Sequence, residues 1–256
     1  MNDLLGSADA MPRHERDIER LTLAEIVSIV ASFKPRRHRA LRNSDEARSR
    51  IETMARAGLD AAAGIESRTA GVDEAGRGPL AGPVVAAAVV LPTGSDSHLV
   101  DSLLGINDSK RLSPLRRCLL FLEIMRVAEE VSLGIATSAE IDHVNIREAT
   151  HMAMRRAVGG LKQTPDLALV DGNSDPGLPC PTQCIVKGDA RVLSISAASI
   201  VAKVARDVIM DSLHSMYPQY GFDSNKGYPT KAHYQALEKY GPCPVHRKTF
   251  RLSSSA

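Results

Sequence analysis

The sequence predicts an α/β fold, and two kinds of segment support this prediction. Short apolar segments of strand length recur along the chain, and residues 84–91 and 167–171 are the clearest of them. Longer segments carry apolar side chains at helical spacing, and residues 194–216 form the longest. Because strands that alternate with amphipathic helices are typical of α/β proteins, we expect a sheet covered by helices.

Composition restricts the class of protein. The chain has 256 residues, enough for one large domain or for one domain with a small attachment. A net charge of +2 is too small to indicate a polyanionic partner, so any basic surface must be local. The four cysteines lack a paired CxxC framework, and no secretory leader or apolar run of transmembrane length is visible. We therefore expect a cytoplasmic protein with reduced thiols and no membrane partner.

Residues 1–66 differ from the rest and are predicted to form a helical extension on a main domain of residues 67–256. Thr22 and Glu25 have the spacing of a capping box at the start of an amphipathic helix. Ser44 is a candidate cap for a second helix, which we expect to end before Gly58.

A basic joint separates these two helices. Residues 34–42 include five lysine or arginine side chains, with acidic residues close by. A phosphate-binding arm that increases duplex affinity is one interpretation of this run, and a solvated helical hairpin is the other.

The first strand leads into a glycine-rich stretch, residues 71–85, that also contains two adjacent carboxylates. In a continued strand Asp73 and Glu74 would point to opposite faces, so both serve one site only if the chain leaves the pleat at about Glu74. Gly76 and Gly78 would permit that departure. Arg77 between them is a forked donor suited to phosphate or sugar oxygens. The alternative is a solvated turn whose acids only cap and solubilise it.

A polar loop precedes the next helix. Ser109 and Lys110 lie in an Asn-Asp-Ser-Lys sequence and are suited to phosphate contact near a helix start, although a plain capped loop is equally compatible with it. Ser113 is the predicted cap of that helix, with Pro114 at its first position. A strand over residues 131–137 and two short helices, the second ending at Gly159-Gly160, are predicted to follow.

Two later strands end in carboxylates. The strand of residues 167–171 ends at Asp171, and residues 182–186 lead into Lys187-Gly188-Asp189. Because chemistry collects where the strands of open α/β sheets end, Asp171 is placed to join Asp73. In the last segment Lys226 is a cation suited to phosphate, and Tyr228 could stack on a sugar or base or serve as an ordinary buried turn residue.

The glycine-rich stretch resembles the first signature of the type 2 ribonuclease H family, enzymes that cut the RNA part of RNA/DNA duplexes. The resemblance covers about residues 69–250 and includes a closing segment in which Thr249 stands where serine is more usual. Further motifs follow in the family's order: the loop with Ser109 and Lys110, Asp171, the Lys-Gly-Asp segment, the helix of residues 194–207 and the turn of Tyr228. The resemblance implies a ribonuclease H-like fold, which is a mixed β-sheet flanked by helices with a helical C-terminal part.

The resemblance also implies the site residues. Four carboxylates would be catalytic metal ligands: Asp73, Glu74, Asp171 and Asp189. Oxygen ligands favour Mg²⁺ or Mn²⁺, and we expect two-metal hydrolysis that leaves 3′-hydroxyl and 5′-phosphate ends. The substrate contacts would comprise a ribose-sensing loop, a junction-sensing tyrosine and phosphate-binding side chains: Gly76, Arg77 and Gly78; Tyr228; Ser109, Lys110 and Lys226.

The expected substrates are RNA/DNA hybrids and duplex DNA that contains ribonucleotides, with roles in ribonucleotide excision and RNA primer removal. The family expectation is a monomer, and some bacterial members resemble this chain in carrying an N-terminal extension. Two alternatives have different functions. A non-catalytic duplex-binding module would bind hybrids without metal-dependent turnover, and a two-metal nuclease or phosphotransferase of the same broad fold would act on ordinary DNA.

Overall fold

A computed structural model describes residues 18–19, 21–32, 45–61, 68–92, 97–106 and 112–253. Within these ranges five strands form one sheet, in the order β3-β2-β1-β4-β5. The strands are β1 Thr69–Ala75, β2 Val84–Val90, β3 Glu130–Ala136, β4 Leu167–Asp171 and β5 Thr182–Ile185. The helices are α1 Leu23–Ser32, α2 Asp45–Ala61, α3 Ser97–Ser102, α4 Pro114–Val127, α5 Ser138–Val144, α6 Ile146–Gly159, α7 Leu193–Met216, α8 Phe222–Asn225 and α9 Lys231–Tyr240.

The sheet is mixed, and β1 lies at its centre. β1 pairs antiparallel with β2, and β2 pairs antiparallel with β3. On its other side β1 pairs parallel with β4, and β4 with β5. The predicted mixed α/β fold is confirmed. Because β1 and β4 are parallel, their carboxyl ends lie at the same edge of the sheet.

Helices cover both faces of the sheet. α7 packs on β1 and β2 on one face, and α6 packs on β1, β2 and β3 on the other. The apolar stripe predicted for α7 is buried. The helix also buries three small side chains, which allow it to lie close to the sheet: Ala197, Ala198 and Ser199. Ser113 caps α4 as predicted, accepting a hydrogen bond from the Arg116 amide at 3.3 Å.

At Gly71 in β1 the sheet and α7 approach each other closely. A Cβ atom built there would lie 2.1 Å from the carbonyl carbon of Ser194 and 2.4 Å from the amide nitrogen of Ile195. We expect Gly71→Ala to lower the free energy of unfolding by about 2 kcal/mol or more, because the backbone of α7 must shift away from the sheet. Urea unfolding followed by circular dichroism measures this change.

Gly159 at the end of α6 provides the matched control for that substitution. A Cβ atom at Gly159 would have no neighbour within 4 Å. Gly159→Ala should be neutral or stabilising by up to about 1 kcal/mol, since alanine is the better helix former. Equal unfolding midpoints for the two variants would show that the contact at Gly71 does not constrain the packing.

The described helices of the N-terminal extension pack against the main body. The predicted capping box at the start of α1 is confirmed, because Thr22 and Glu25 exchange hydrogen bonds through their backbone amides and side chains. α1 and α2 contact α7, and their buried side chains lie in the same apolar cluster as those of α7: Ile26, Val30, Ile51 and Met54. These two helices are therefore held by burial of apolar surface.

The predicted end of the second helix is wrong, because α2 continues through Gly58 to Ala61. Ala61, the last residue of α2, packs against an apolar cluster of the body that includes Leu169 and Val192. This tertiary contact outweighs the weak helix preference of glycine at Gly58. Ser44 and the basic run of residues 34–42 lie outside the described residues. No helix in the described ranges combines the length and apolar character needed to span a membrane.

Candidate active site

Three of the predicted carboxylates lie around the carboxyl ends of β1 and β4. Val72 of β1 pairs with Val170 of β4, so Asp73 and Asp171 follow side by side on neighbouring strands. Asp73 is only 5% exposed. Its carboxylate accepts a hydrogen bond from the Glu74 amide at 2.7 Å and another from the Ser199 hydroxyl on α7. α7 thus orients the most buried acid of the site.

The chain does not leave the pleat at Glu74, which was the condition under which we expected both acids to serve one site. β1 stays paired with β2 through Ala75, because Glu74 lies opposite Ala86 and Ala75 lies opposite Val85. The chain leaves the strand at Gly76, which has a φ of +103°. Asp73 therefore faces α7, and Glu74 alternates to the other face.

Both acids nevertheless share one electrostatic environment with Asp171. Burial raises the pKa of Asp73 well above its usual value, and the neighbouring Glu74 and Asp171 carboxylates raise it further. Burial also raises the pKa of Glu74; Arg77 opposes this rise and Asp171 adds to it. Asp73 and Glu74 thus both respond to Asp171 although they leave the strand on opposite sides.

The segment that carries Asp189 packs against Asp171. The Gly188 amide donates to Asp171 Oδ1 at 2.6 Å. Asp189 itself lies in a single 3₁₀ turn, Gly188–Ala190, which follows Lys187 in the left-handed conformation with φ 56°. The structure therefore brings the turn of Asp189 to the ends of β1 and β4.

The donor set fits a hard divalent cation by its chemistry. All four side chains offer carboxylate oxygen, the ligand type that Mg²⁺ and Mn²⁺ prefer. Crowded carboxylates repel one another, and a divalent cation removes that repulsion. Among the described residues, however, no three acidic, histidine or cysteine side chains lie close enough together to hold an ion as they stand. Glu74 instead contacts Arg77 at 3.5 Å, and Asp171 accepts from Gly188.

The glycine-rich loop after β1 is held from below by Arg247, which is fully buried. Its guanidinium donates hydrogen bonds of 2.6–3.3 Å to the carbonyl oxygens of five loop residues: Gly76, Arg77, Pro79, Gly82 and Pro83. Burial, and after it the nearby Arg206 cation, lower the pKa of Arg247 to about 9. The group therefore remains charged at neutral pH, and charge strengthens its hydrogen bonds.

Arg206 of α7 connects the same loop to the turn of Tyr228. It donates to the carbonyl oxygens of Ala81 and Pro83 at 3.1 and 3.0 Å, and to that of Lys226 at 2.9 Å. The turn also accepts a hydrogen bond from the loop, because the Leu80 amide donates to Gly227 O at 2.7 Å. The predicted ribose-sensing loop and the predicted junction-sensing turn are thus joined into one unit.

Tyr228 lies beside Gly78 on the surface of this unit. Tyr228 is 44% exposed, and a Cβ atom at Gly78 would lie 3.6 Å from Tyr228 Cε1. The alternative of an ordinary buried turn tyrosine does not describe this ring. Arg77 is also exposed, at 56% of its side chain. An exposed aromatic ring and an exposed guanidinium therefore flank the loop.

The remaining predicted substrate contacts fall into two groups. Lys226 forms an ion pair with Asp211 of α7 and is only 17% exposed, so its charge is already matched inside the protein. Ser109 and Lys110 lie outside the described residues.

Sequence reasoning did not identify the supports of the site, which are Ser199, Arg206 and Arg247. A signal for Arg206 was available, because it is an arginine within the long apolar helix. Arg247 lay in the closing segment, but nothing in that segment indicates that its partners are the loop carbonyls more than 160 positions earlier.

Comparisons with known proteins identify the family of this chain. The family model described as Ribonuclease HII matches residues 70–253. The Ribonuclease HII of Shewanella piezotolerans is 56% identical over 182 residues, which are 71% of this chain and 87% of that protein. The protein of the same name from Vibrio campbellii is 52% identical over 71% of this chain and 83% of its own length.

Solved structures show the same fold. The ribonuclease H2 from Pyrococcus horikoshii OT3 has a TM-score of 0.62 and 31% identity, covering 72% of this chain and 94% of that one. The Bst-RNase HIII solved in complex with Mn²⁺ has a TM-score of 0.58 and 16% identity, covering 86% of this chain and 74% of that one, and it supports the fold alone. The chain therefore belongs to the ribonuclease HII family and is a ribonuclease H, a hydrolytic endonuclease that acts on RNA/DNA.

Proposed function

We propose that this enzyme hydrolyses the RNA strand of RNA/DNA hybrids and also nicks duplex DNA on the 5′ side of an embedded ribonucleotide. The products would carry 3′-hydroxyl and 5′-phosphate ends, and the cellular roles would be ribonucleotide excision and RNA primer removal. The observation that carries the proposal is the joining of the loop of residues 76–78 to the turn of Tyr228, beside the buried Asp73.

Asp73, Glu74, Asp171 and Asp189 would hold Mg²⁺ or Mn²⁺. When bound, two such ions lower the pKa of the attacking water and stabilise the departing 3′ oxygen. The chain's own contribution is to hold two of these acids by hydrogen bonds. The Ser199 hydroxyl and the Glu74 amide fix Asp73, and the Gly188 amide fixes Asp171. Ligands that are held by such neighbours lose little freedom when the ions and the substrate bind.

The loop can recognise a ribose 2′-hydroxyl through its backbone. The carbonyl oxygens of Gly76 and Arg77 accept from Arg247 at 2.6 and 3.0 Å. In a trans peptide the N–H points opposite to the C=O, so the amides of Arg77 and Gly78 are directed away from Arg247. Two neighbouring N–H donors of this kind suit a hydroxyl oxygen, and the ribose hydroxyl is what distinguishes RNA from DNA.

Tyr228 would report the junction between ribose and deoxyribose by stacking on the sugar next to the loop. We expect Tyr228→Ala to lose most of the preference for a single embedded ribonucleotide over a uniform hybrid. One stacking contact is worth about 1–3 kcal/mol, which corresponds to about 5–150-fold in that ratio. Cleavage rates on the two substrates measure it.

Tyr240 is the matched control for Tyr228, because it is also exposed, at 52%, and lies at the end of α9. Tyr240→Ala should leave the ratio of the two rates unchanged. A Tyr228→Ala enzyme with an unaltered ratio would show that the exposed ring has no part in choosing the substrate.

The enzyme class and ribose sensing are tested together with a labelled DNA duplex that contains one ribonucleotide, beside an all-DNA duplex. We expect a nick 5′ of the ribonucleotide with Mg²⁺ or Mn²⁺, no reaction with chelator, and an intact control. Cleavage of the all-DNA duplex would contradict ribose sensing. Binding without cleavage under either metal would contradict catalysis and favour a duplex-binding module.

Other features of the proposal concern the whole chain. Residues 67–256 would form the catalytic domain, which agrees with the family match to residues 70–253. Residues 1–66 would add duplex affinity through the basic run, and Ser109, Lys110 and Lys226 would contact phosphate. Lys226 could do so only by sharing its charge with Asp211, its partner in the structure. We propose a monomer that acts in the cytoplasm.

A further inference from the structure

Two histidines lie buried beneath the turn of Tyr228, outside the carboxylate site. His233 and His246 are both fully buried, and their Nε2 atoms are 3.0 Å apart. His233 Nδ1 is 2.9 Å from the carbonyl oxygen of Tyr228. His246 Nδ1 is 3.0 Å from the amide nitrogen of Cys243. The four groups form one chain of hydrogen bonds that ends on the backbone of Tyr228.

The two ends of this chain determine where its protons lie. The Cys243 amide can only donate, so His246 Nδ1 must accept and the proton of neutral His246 lies on Nε2. That proton points at His233 Nε2, which must therefore accept in turn. The proton of His233 then lies on Nδ1 and is donated to the Tyr228 carbonyl, which can only accept.

One competing contact exists at the Cys243 end. His246 Nδ1 is also 3.3 Å from Cys243 O, which would require a proton on that nitrogen. The Cys243 amide at 3.0 Å and the Cys243 thiol at 3.1 Å are both closer, and both can donate. The shorter contacts thus agree with an unprotonated Nδ1.

The protons of this hydrogen-bond chain have a single consistent arrangement. A second proton on either imidazole would set two N–H groups against each other, at the Nε2 pair or at Cys243. Burial lowers the pKa of both side chains, that of His246 to about 4, so both are neutral at pH 7.

Packing prevents the two imidazoles from turning away. Tyr220 lies edge-on against His246 with ring centroids 4.7 Å apart, and Phe222 lies edge-on against His233 at 5.6 Å. His233 is in the first turn of α9, where its amide donates to the Thr230 hydroxyl at 3.2 Å. His246 immediately precedes Arg247, which holds the glycine-rich loop. The hydrogen-bond chain thus links the segment of Arg247, which holds the glycine-rich loop, to the backbone of Tyr228.

We propose that His233 and His246, as a neutral pair in this one tautomeric arrangement, are positioning residues that set the place of Tyr228 relative to the loop of residues 76–78. Neither histidine touches the substrate in this proposal. The inference rests on the proposed role of Tyr228 in recognising an embedded ribonucleotide. Its consequence is that losing the hydrogen bond to Tyr228 changes which substrate is preferred, and not only how much enzyme is folded.

The test compares His233→Phe, His233→Asn and Tyr220→Phe in the full-length enzyme. Phenylalanine keeps a ring in the aromatic cluster but removes the imidazole donor to the Tyr228 carbonyl, which then keeps only its hydrogen bond from the Thr230 amide at 2.8 Å. Asparagine can return a donor to that position through its amide nitrogen. Tyr220→Phe removes a different hydrogen bond of the same cluster, the one at 2.7 Å to Gly241 O, without touching Tyr228.

The readout is the ratio of cleavage rates on the single-ribonucleotide duplex and on the uniform hybrid. We expect His233→Phe to lower this ratio about fivefold, the effect of one ordinary hydrogen bond, and His233→Asn to restore most of it. Tyr220→Phe should lower the melting temperature and leave the ratio unchanged. A purely structural role would lower both rates together, and such a result for His233→Phe would overturn the proposal.

Nitrogen NMR of the wild-type imidazoles tests the arrangement without any activity. We expect a proton on Nε2 of His246 and on Nδ1 of His233 at pH 7. The reverse tautomers, or an imidazolium at either position, would overturn the proposal. Tyr228→Ala separates the two levels of inference. If that variant keeps the wild-type ratio, the proposed role of Tyr228 fails; if it loses the ratio and His233→Phe does not, only the positioning role fails.

Discussion

An Asp73→Asn enzyme is expected to lose about a thousandfold or more in kcat and, when metal is chelated, to melt at a higher temperature than the wild type. The loss follows from removing a charged ligand, since metal ions supply several kcal/mol of transition-state stabilisation and each 1.36 kcal/mol is about tenfold in rate. The gain in stability follows from burial, because Asp73 is 5% exposed beside two other acids. Single-turnover cleavage and melting in chelator measure the two effects.

The pH dependence of the metal-free enzyme has a definite sign. The pKa of Asp73 is raised above 3.8 in the folded state, so the folded protein holds the proton to a higher pH than the unfolded chain does. The contribution of Asp73 to the free energy of unfolding is therefore fully present below the pKa of Asp73 in the unfolded chain, and it is lost as the pH rises through its pKa in the folded protein. The Asn variant lacks this loss, so its advantage in melting temperature should be absent at pH 3 and grow with pH.

Asp60 offers a control with the same change of charge. It is exposed on α2, and Asp60→Asn should change stability by less than about 0.5 kcal/mol and leave kcat unaltered. An Asp73→Asn enzyme that kept more than a tenth of wild-type turnover would remove Asp73 from the proposed ligand set. A lower melting temperature than wild type in chelator would show that Asp73 is stabilising and not in conflict with its neighbours.

Arg247→Lys is expected to destabilise the protein by about 3 kcal/mol or more and to impair cleavage even where the protein is folded. The guanidinium serves five loop carbonyls from a fully buried position. A lysine has one compact charge and cannot reach a row of carbonyls with a planar fork. Several buried oxygens would lose their donors, and each unsatisfied group costs about 1–3 kcal/mol.

Urea unfolding gives the change in stability, and cleavage of the single-ribonucleotide duplex in the folded range gives the effect on the site. Lys248→Met is the control, because this adjacent cation is exposed. The hydrogen bond between residue 248 and Asp142 comes from the backbone amide, which the substitution keeps. This variant should unfold close to the wild-type midpoint. If Arg247→Lys did so too, the positive charge alone, and not the fork of donors, would be sufficient to hold the loop.

Much of the local structure was predictable from the sequence, since its causes lie within a few residues. Thr22 with Glu25, and Ser113 with Pro114, mark helix starts through contacts three residues apart. The strand Leu167–Asp171 has its predicted bounds because a fully apolar run ends in Asp-Gly. The likeness to a known family identified the order of the motifs, and the family comparisons confirm the enzyme class.

The sequence by itself determined most of the segments that form strands and helices, although not the short helices α3 and α8, and it determined which faces are apolar and that Asp171 stands at a strand end. Only the tertiary structure decided that β1 continues past Glu74, since β2 supplies hydrogen-bond partners as far as Ala75. Likewise, only the fold brings Arg247 beneath the loop and His233 beneath Tyr228. The physical reason is range: propensities and caps act between neighbours along the chain, whereas a buried donor takes whichever acceptor the packed core presents, however distant in sequence.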